Sequence, residues 1–269
     1  MRKSIYYGAG IFCLAASAML LLNTNVLPFN LVNNMAQVQV DSGYVDYYHI
    51  GFPMPKNSLR QGTVYLPVYS QREREHLWQI ITPFSMDGAE ITENDEYFEA
   101  AADKEVLRIY RYIDLLEYEN LQGDKRRPIS SEAARTVAEE FLDEFLQHKK
   151  PYDVTIRREK DGWRVLFAGK LGGLPNMAFP TEITLDAYGN VKHVSHYFFE
   201  YEALGAADVI TVRAALSLLP REDVGMVQLK SYDLVYGFED SVLMPVYRFF
   251  GEYADGAPFE YAVKALRFY

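Results

Sequence analysis

The chain contains a single cysteine, Cys13. No intrachain disulfide can therefore form, and no zinc site built from several thiolates is available, which removes two common ways of stabilising a small extracellular module. Histidine is also sparse, at five residues, and no G-x-S-x-G, H-E-x-x-H, P-loop or G-x-G-x-x-G pattern occurs anywhere. Charge is missing from one region altogether, because between Arg2–Lys3 and Asp41 there is no charged side chain. Basic residues are short overall, 27 Lys and Arg against 37 Asp and Glu. As Arg2 and Lys3 are the only charges before Asp41, the remainder carries 25 basic and 37 acidic groups, a net −12. A surface of that sign repels phosphate backbones, so no nucleic-acid partner is expected.

What is present is apolar and aromatic. About half of the 269 residues are hydrophobic, with 21 tyrosines and 16 phenylalanines, enough for a packed core and too much for a disordered chain. Ile5 to Leu22 is an uninterrupted stretch of 18 uncharged, mainly apolar residues. As a helix it reaches roughly the thickness of bilayer hydrocarbon. Arg2 and Lys3 before it favour a cytoplasmic N-terminus (residues 1–4), a transmembrane helix at 5–22 and an exported remainder. Cleavage after Ala16-Ser17-Ala18 is the competing reading, and the apolar run that continues through Met19 to Leu22 weighs against it. Ala9, Cys13 and Ala16 would share one helix face, a stripe that allows another helix close approach. The same residues also suit a face turned to lipid. The uncharged, asparagine-rich stretch 23–40 reads as a linker.

Residues 41–122 suggest a β-rich unit, with strands at 43–50 and 63–70 divided by Pro, Gly and Asn punctuation. Between Asp87 and Glu105 lie eight acidic residues and one lysine. They lack the alternating carboxylates and central glycine of a calcium loop, so a solvated face or loop is expected. Gly123 to Ser131 reads as a boundary followed by a helix cap. Ala133, Val137, Phe141 and Phe145 then recur every fourth residue, predicting an amphipathic helix that ends near His148. Two hairpins follow, around Lys160-Asp161-Gly162 and Ala187-Tyr188-Gly189, the second continuing into a strand over 190–202. A second helix is expected at about Asp208 to Leu219, then three strands, the last two joined at Ala254-Asp255-Gly256.

Candidate chemistry is thin. His193 and His196 form H-x-x-H, but residues three apart on a strand point to opposite faces and cannot easily share a metal. Glu200 and Glu202 share a strand face; a solvated pair is the simpler identity than an acid and base facing a sugar. No catalytic residue, cofactor or metal is expected, and the tyrosines suit sheet faces and an interaction surface.

The helix-then-strands order occurs twice. The stretch "LDAYGNV" at 185–191 resembles the Asp-Ala-x-x-Gly-x-Val ending of PepSY modules, and "PVYRF…ADG…EYAVKA" resembles the matching end of a last repeat. With the apolar N-terminus, these residues resemble the YycI/YycH group of bacterial regulatory proteins, YycI above all. The resemblance covers the apolar segment and about 128–269, and is weak over 41–122. It implies an α+β fold: an N-terminal transmembrane helix, then extracellular antiparallel-sheet domains, with 128–205 and 206–269 a tandem of PepSY-like helix-plus-sheet units. It further implies a non-enzymatic protein of the Gram-positive cell membrane that contacts a sensor histidine kinase of cell-wall homeostasis, with a YycH-like companion. Helix contact would fall to Ala9, Cys13 and Ala16. The alternative is a PepSY-type inhibitor or chaperone of a secreted peptidase or cell-wall hydrolase.

Overall fold

A computed structural model describes residues 48–53, 61–69, 80, 82–84, 86, 88–123, 127–145, 152–220 and 226–267. The transmembrane helix expected at 5–22, with Ala9, Cys13 and Ala16, lies outside the described residues, and so does the linker. Among the described residues no helix is long and apolar enough to cross a membrane. The chain divides into two compact units.

The larger unit holds Gln61–Asp208 and Val235–Pro245. Its centre is a nine-stranded sheet built from β3 (Glu90–Glu93), β4 (Tyr97–Ala102), β5 (Glu105–Tyr110), β6 (Leu115–Asn120), β7 (Tyr152–Arg158), β8 (Gly162–Leu171), β9 (Leu174–Pro175), β10 (Thr181–Asp186) and β11 (Val191–Tyr197). The spatial order is β3-β4-β5-β6-β11-β10-β8-β7, with β9 paired to β8. Helix α1, Ser131–Phe145, lies on one face. Its start is set by Ser130, whose Oγ accepts a hydrogen bond from the Ala133 N–H at 3.2 Å, occupying one of the donors that a helix leaves unpaired. Ala134, Ala138, Phe141 and Leu142 are buried, and the two alanines let the helix approach the strands closely.

Period-two alternation supplies the opposing surface. Phe98, Ala100, Leu107, Ile109, Leu116, Tyr118, Val165, Phe167, Ile183, Leu185 and Val194 all enter this one core. A short 3-10 turn, Thr82–Phe84, adds Phe84, whose ring lies 5.1 Å from Tyr118 and 5.3 Å from Phe145. Within the acidic stretch, Glu90 to Ala102 is the β3–β4 hairpin: Phe98 and Ala100 point into the core while Glu99 stays on the other face, paired with Arg108 at 2.7 Å.

The hairpin turns behave as their residues demand. Asp186 closes the β10–β11 turn by accepting the Tyr188 and Asn190 backbone N–H groups at 2.9 Å each and the Asn190 side-chain amide at 2.7 Å. Gly189 takes φ +90° there, a conformation that other residues rarely adopt. Burial pushes the Asp186 carboxyl up, but the bonds from Asn190 and Tyr188 and the charge of Lys192 outweigh it and hold the group below the usual carboxylate range.

Two further strands of the larger unit, β2 (Gln61–Val68) and β12 (Glu200–Asp208), pair antiparallel with each other. On its other side β2 meets β14 (Val242–Tyr253), Tyr65 standing opposite Leu243. Strand β14 follows β13 (Val227–Glu239) through a tight turn in which Asp240 and Ser241 take φ +51° and +66°, the paired positive values that suit twisted hairpins.

The second unit holds Val209–Leu234 and Val246–Arg267 with the residues before Gln61. Strand β1 (Tyr48–Ile50) runs parallel to the start of β13, and the later part of β14 pairs antiparallel with β15 (Pro258–Lys264). Helix α2 is only Val212–Leu216, capped by Thr211. Its Val212, Ala215 and Leu216 are buried, as are Val227, Leu229, Val246, Phe249 and Val263 of the strands. Tyr48 and Tyr247 donate to the carbonyls of Pro220 at 2.6 Å and Ile210 at 3.0 Å.

The structure corrects the expected architecture. The described residues are mostly strand, and they do not form a tandem of PepSY-like helix-plus-sheet units. Helix α1 covers strands drawn from both sides of the 123–131 connection, since β6 pairs with β11 from Leu115 to Glu119. The sheet is therefore not closed within 128–205. The helix expected at 208–219 is five residues long: it starts late because the preceding backbone is taken by strand contacts, and after Leu216 it tightens into a turn in which the Leu218 N–H bonds the Ala215 carbonyl at 3.0 Å. Val209 bridges Leu266, and the Ile210 N–H bonds the Ala265 carbonyl at 2.7 Å. The strand pairing is also not wholly antiparallel, given β1 and β13.

A Cβ at Gly162 would stand 1.9 Å from the Leu185 carbonyl oxygen. Gly162→Ala is therefore expected to destabilise the protein by about 2–3 kcal/mol, measured by urea denaturation. Asp186→Ala should cost ~1–2 kcal/mol at neutral pH. Because folding lowers the Asp186 pKa, its stabilisation is present above the unfolded value of about 3.9. It is lost as pH falls through the folded value, so wild type and variant should converge in acid; a constant gap down to that range would refute the assignment.

Candidate functional site

Two surfaces of the larger unit are wet enough to meet another molecule. The first is the sheet face opposite α1. Register places Glu99, Arg108, Glu117, Ser195 and Glu182 in one cross-strand row. Glu119, His193, Thr184, Arg164 and Arg157 form the next. This face is internally compensated. Arg108 pairs with Glu99 at 2.7 Å and Glu119 at 3.7 Å, Arg164 with Glu182 at 2.6 Å, and Tyr110 donates to Glu117 at 2.8 Å.

The second is the pair β2 and β12. Strand β12 ends its sheet, so one row of its backbone N–H and C=O groups has no partner strand among the described residues. Val68 stands opposite Glu200, and Leu66 opposite Glu202. Cross-strand partners share a face, so Leu66 and Val68 lie beside the two carboxylates. The register then slips between Ala203 and Gly205, a bulge that leaves Leu204 outside the ladder. The exposures decide which face is open: Leu66 36% and Val68 39%, with Leu204 at 55%. An apolar strip is thus rimmed by Glu200 and Glu202, for neither of which an ion pair forms among the described residues.

Behind the strip the strands are held stiffly. Tyr65 sits edge-on to Tyr236 with ring centroids 5.5 Å apart, and the Tyr236 hydroxyl donates to the Thr63 carbonyl at 3.0 Å. Phe179 meets Tyr197, Phe199 and Phe238 at 5.1, 4.7 and 5.0 Å, and Tyr69 closes on Phe199 at 5.1 Å. The Asn176 side-chain amide donates to the Tyr201 hydroxyl at 2.9 Å. Burial pushes that hydroxyl up to about 12, the Asn176 bond opposing the rise, so it stays a neutral phenol.

The histidines fall as strand periodicity requires. His196 is buried with Nδ1 2.7 Å from the Thr181 hydroxyl, while His193 lies on the opposite face in register with Glu119. No group of His, Cys, Asp or Glu among the described residues could hold a metal ion. Glu200 and Glu202 share a face, as expected, with Leu66 and Val68 across from them and no other carboxylate in register. The single strand expected over 190–202 is in fact two. The chain leaves the nine-stranded sheet after Tyr197 and pairs with β2 from Glu200. The available signal was Tyr197-Phe198-Phe199, three successive aromatics that fit no strand with one wet face.

No protein-family model matches this chain, and no curated protein matches it. Among solved structures, the Bacillus megaterium YpeB C-terminal domain is similar at 13% identity with a TM-score of 0.47, over 74% of this chain and 99% of that one.

Proposed function

We propose that this protein is a non-enzymatic regulator that works by binding another protein through the β2–β12 edge of its larger unit. The observation that carries the reading is the exposed strip of Leu66 and Val68 beside Glu200 and Glu202, with exposed Leu204 at the bulge. A contiguous apolar patch within a polar rim is the usual form of a protein-binding surface.

The more specific reading comes from the sequence. The uncharged segment 5–22 behind Arg2 and Lys3 would tether the protein in a cell membrane with the remainder outside. The resemblance to YycI-like proteins makes the partner a sensor histidine kinase, accompanied by a YycH-like protein. Regulation would then follow from binding one kinase conformation better than another, by as much as the difference in affinity. Ala9, Cys13 and Ala16 would supply the helix contact. A second reading, inhibition or chaperoning of a secreted peptidase or wall hydrolase, is favoured by the exposed edge strand, a natural acceptor for an extended chain.

Site-specific crosslinking in membranes separates the two. Replacing 5–22 with an unrelated apolar segment should abolish crosslinking to a kinase and change kinase output, whereas an inhibitor or chaperone would keep its target. In both cases Leu66→Ser with Leu204→Ser should weaken binding by at least about tenfold. Binding that survives this double substitution would rule out the β2–β12 edge as the contact surface.

A further inference from the structure

Two sets of strand carboxylates in the larger unit differ in one respect. On the nine-stranded sheet Glu99, Glu119 and Glu182 are matched by Arg108 and Arg164, and Glu117 accepts from Tyr110. Glu200 and Glu202, on the edge strand, have no such match among the described residues. They sit two residues apart on one face, about 6.7 Å along the strand, beside Leu66 and Val68. Strand β12 also keeps its outer backbone groups free of any described strand.

From this we infer that β12 accepts an extended segment of a partner protein as an added strand, and that the segment carries lysine or arginine at alternate positions. An added strand gains its affinity from the main-chain ladder and its specificity from side chains at every second position. Cations at i and i+2 would lie opposite Glu200 and Glu202, where opposite charges across a ladder stabilise and like charges destabilise. The residue between them would turn to the other face, toward Tyr201. An apolar residue further along would cover Leu204, which the bulge turns outward.

The same charges disfavour a second copy of this chain, because β12 paired with itself would bring further carboxylates to an edge that already carries Glu200 and Glu202, in a protein with a formal charge of −10. Acidic edge residues of this kind keep an open strand from self-association while leaving it receptive to a basic partner. The inference rests on the protein-binding reading of this edge and adds the mode and chemistry of the partner.

The test uses the full chain in detergent or nanodiscs and a fluorescent peptide of alternating lysine and valine, followed by anisotropy. Binding is expected, weakening with salt. Glu200→Lys with Glu202→Lys should weaken it by about tenfold or more. A peptide with glutamate in place of lysine should bind that variant and not the wild type. Glu200→Gln with Glu202→Gln serves as a milder pair should charge reversal disturb folding. Peptides N-methylated at the lysine amides or at the valine amides distinguish strand addition from simple charge attraction. One of these two sets of N–H groups must face β12, so one methylated peptide must lose binding. Equal binding by both, or by the charge-reversed protein, overturns the inference, as does dimerisation of the protein through β12. If the peptide fails while the membrane crosslinking partner is still captured, strand addition is wrong and the regulatory reading stands. If the peptide binds while no kinase is captured, strand addition stands and the kinase reading is wrong.

Discussion

The ladder between β6 and β11 joins Leu115–Glu119 to His193–Tyr197, and the larger unit depends on it. Without it the β3–β6 strands and the β7–β11 strands are two small sheets, each with an apolar face and too little cover. With it, Leu116 lies opposite His196 and Tyr118 opposite Val194, and the inward positions of both groups fall on one side. A slip of one residue would turn every inward side chain outward, so the buried face itself specifies the register. One helix then suffices as cover, because Ala134 and Ala138 bring it close and Phe141 and Phe145 spread aromatic area over the strands.

The surface chemistry follows from the same placement. Strands inside the nine-stranded sheet have neighbours on both sides, so their outward glutamates find arginines and a tyrosine across the ladder. Among the described residues strand β12 has a neighbour on one side only, and its Glu200 and Glu202 find no partner. Uncompensated charge, backbone groups with no described partner strand and exposed leucines therefore coincide at this edge. The aromatic cluster around Phe179 and the Tyr65–Tyr236 pair stiffen the strands behind that edge. Stiffness matters to recognition because a preformed edge loses little entropy when a strand adds to it.

Local features were legible in advance. The Asp161-Gly162 and Tyr188-Gly189 turns, a serine cap at 130 or 131, the α1 periodicity and the opposite pointing of His193 and His196 each depend on residues within a few positions of one another. The expected pair of PepSY-like units was not recovered, for reasons that lie beyond that range. The helix expected at 208–219 has suitable residues, yet Val209 and Ile210 are engaged by Leu266 and Ala265, far along the chain. The edge at β12 was hidden because 190–202 has the composition of one strand. Only the change of sheets after Tyr197 converts Glu200 and Glu202 from ordinary solvated residues into the rim of an open edge.

By itself the sequence determined the apolar segment 5–22, the acidic balance after Asp41, the hairpin turns and the strand faces of His193, His196, Glu200 and Glu202. These follow from composition, backbone conformational limits and the two-residue period, all local properties. Tertiary structure alone decided that β6 meets β11, that 90–120 and 152–197 share one sheet, and that β12 is left at an edge. Those outcomes depend on which distant strands bury the most apolar area against one another, a quantity spread over the whole chain.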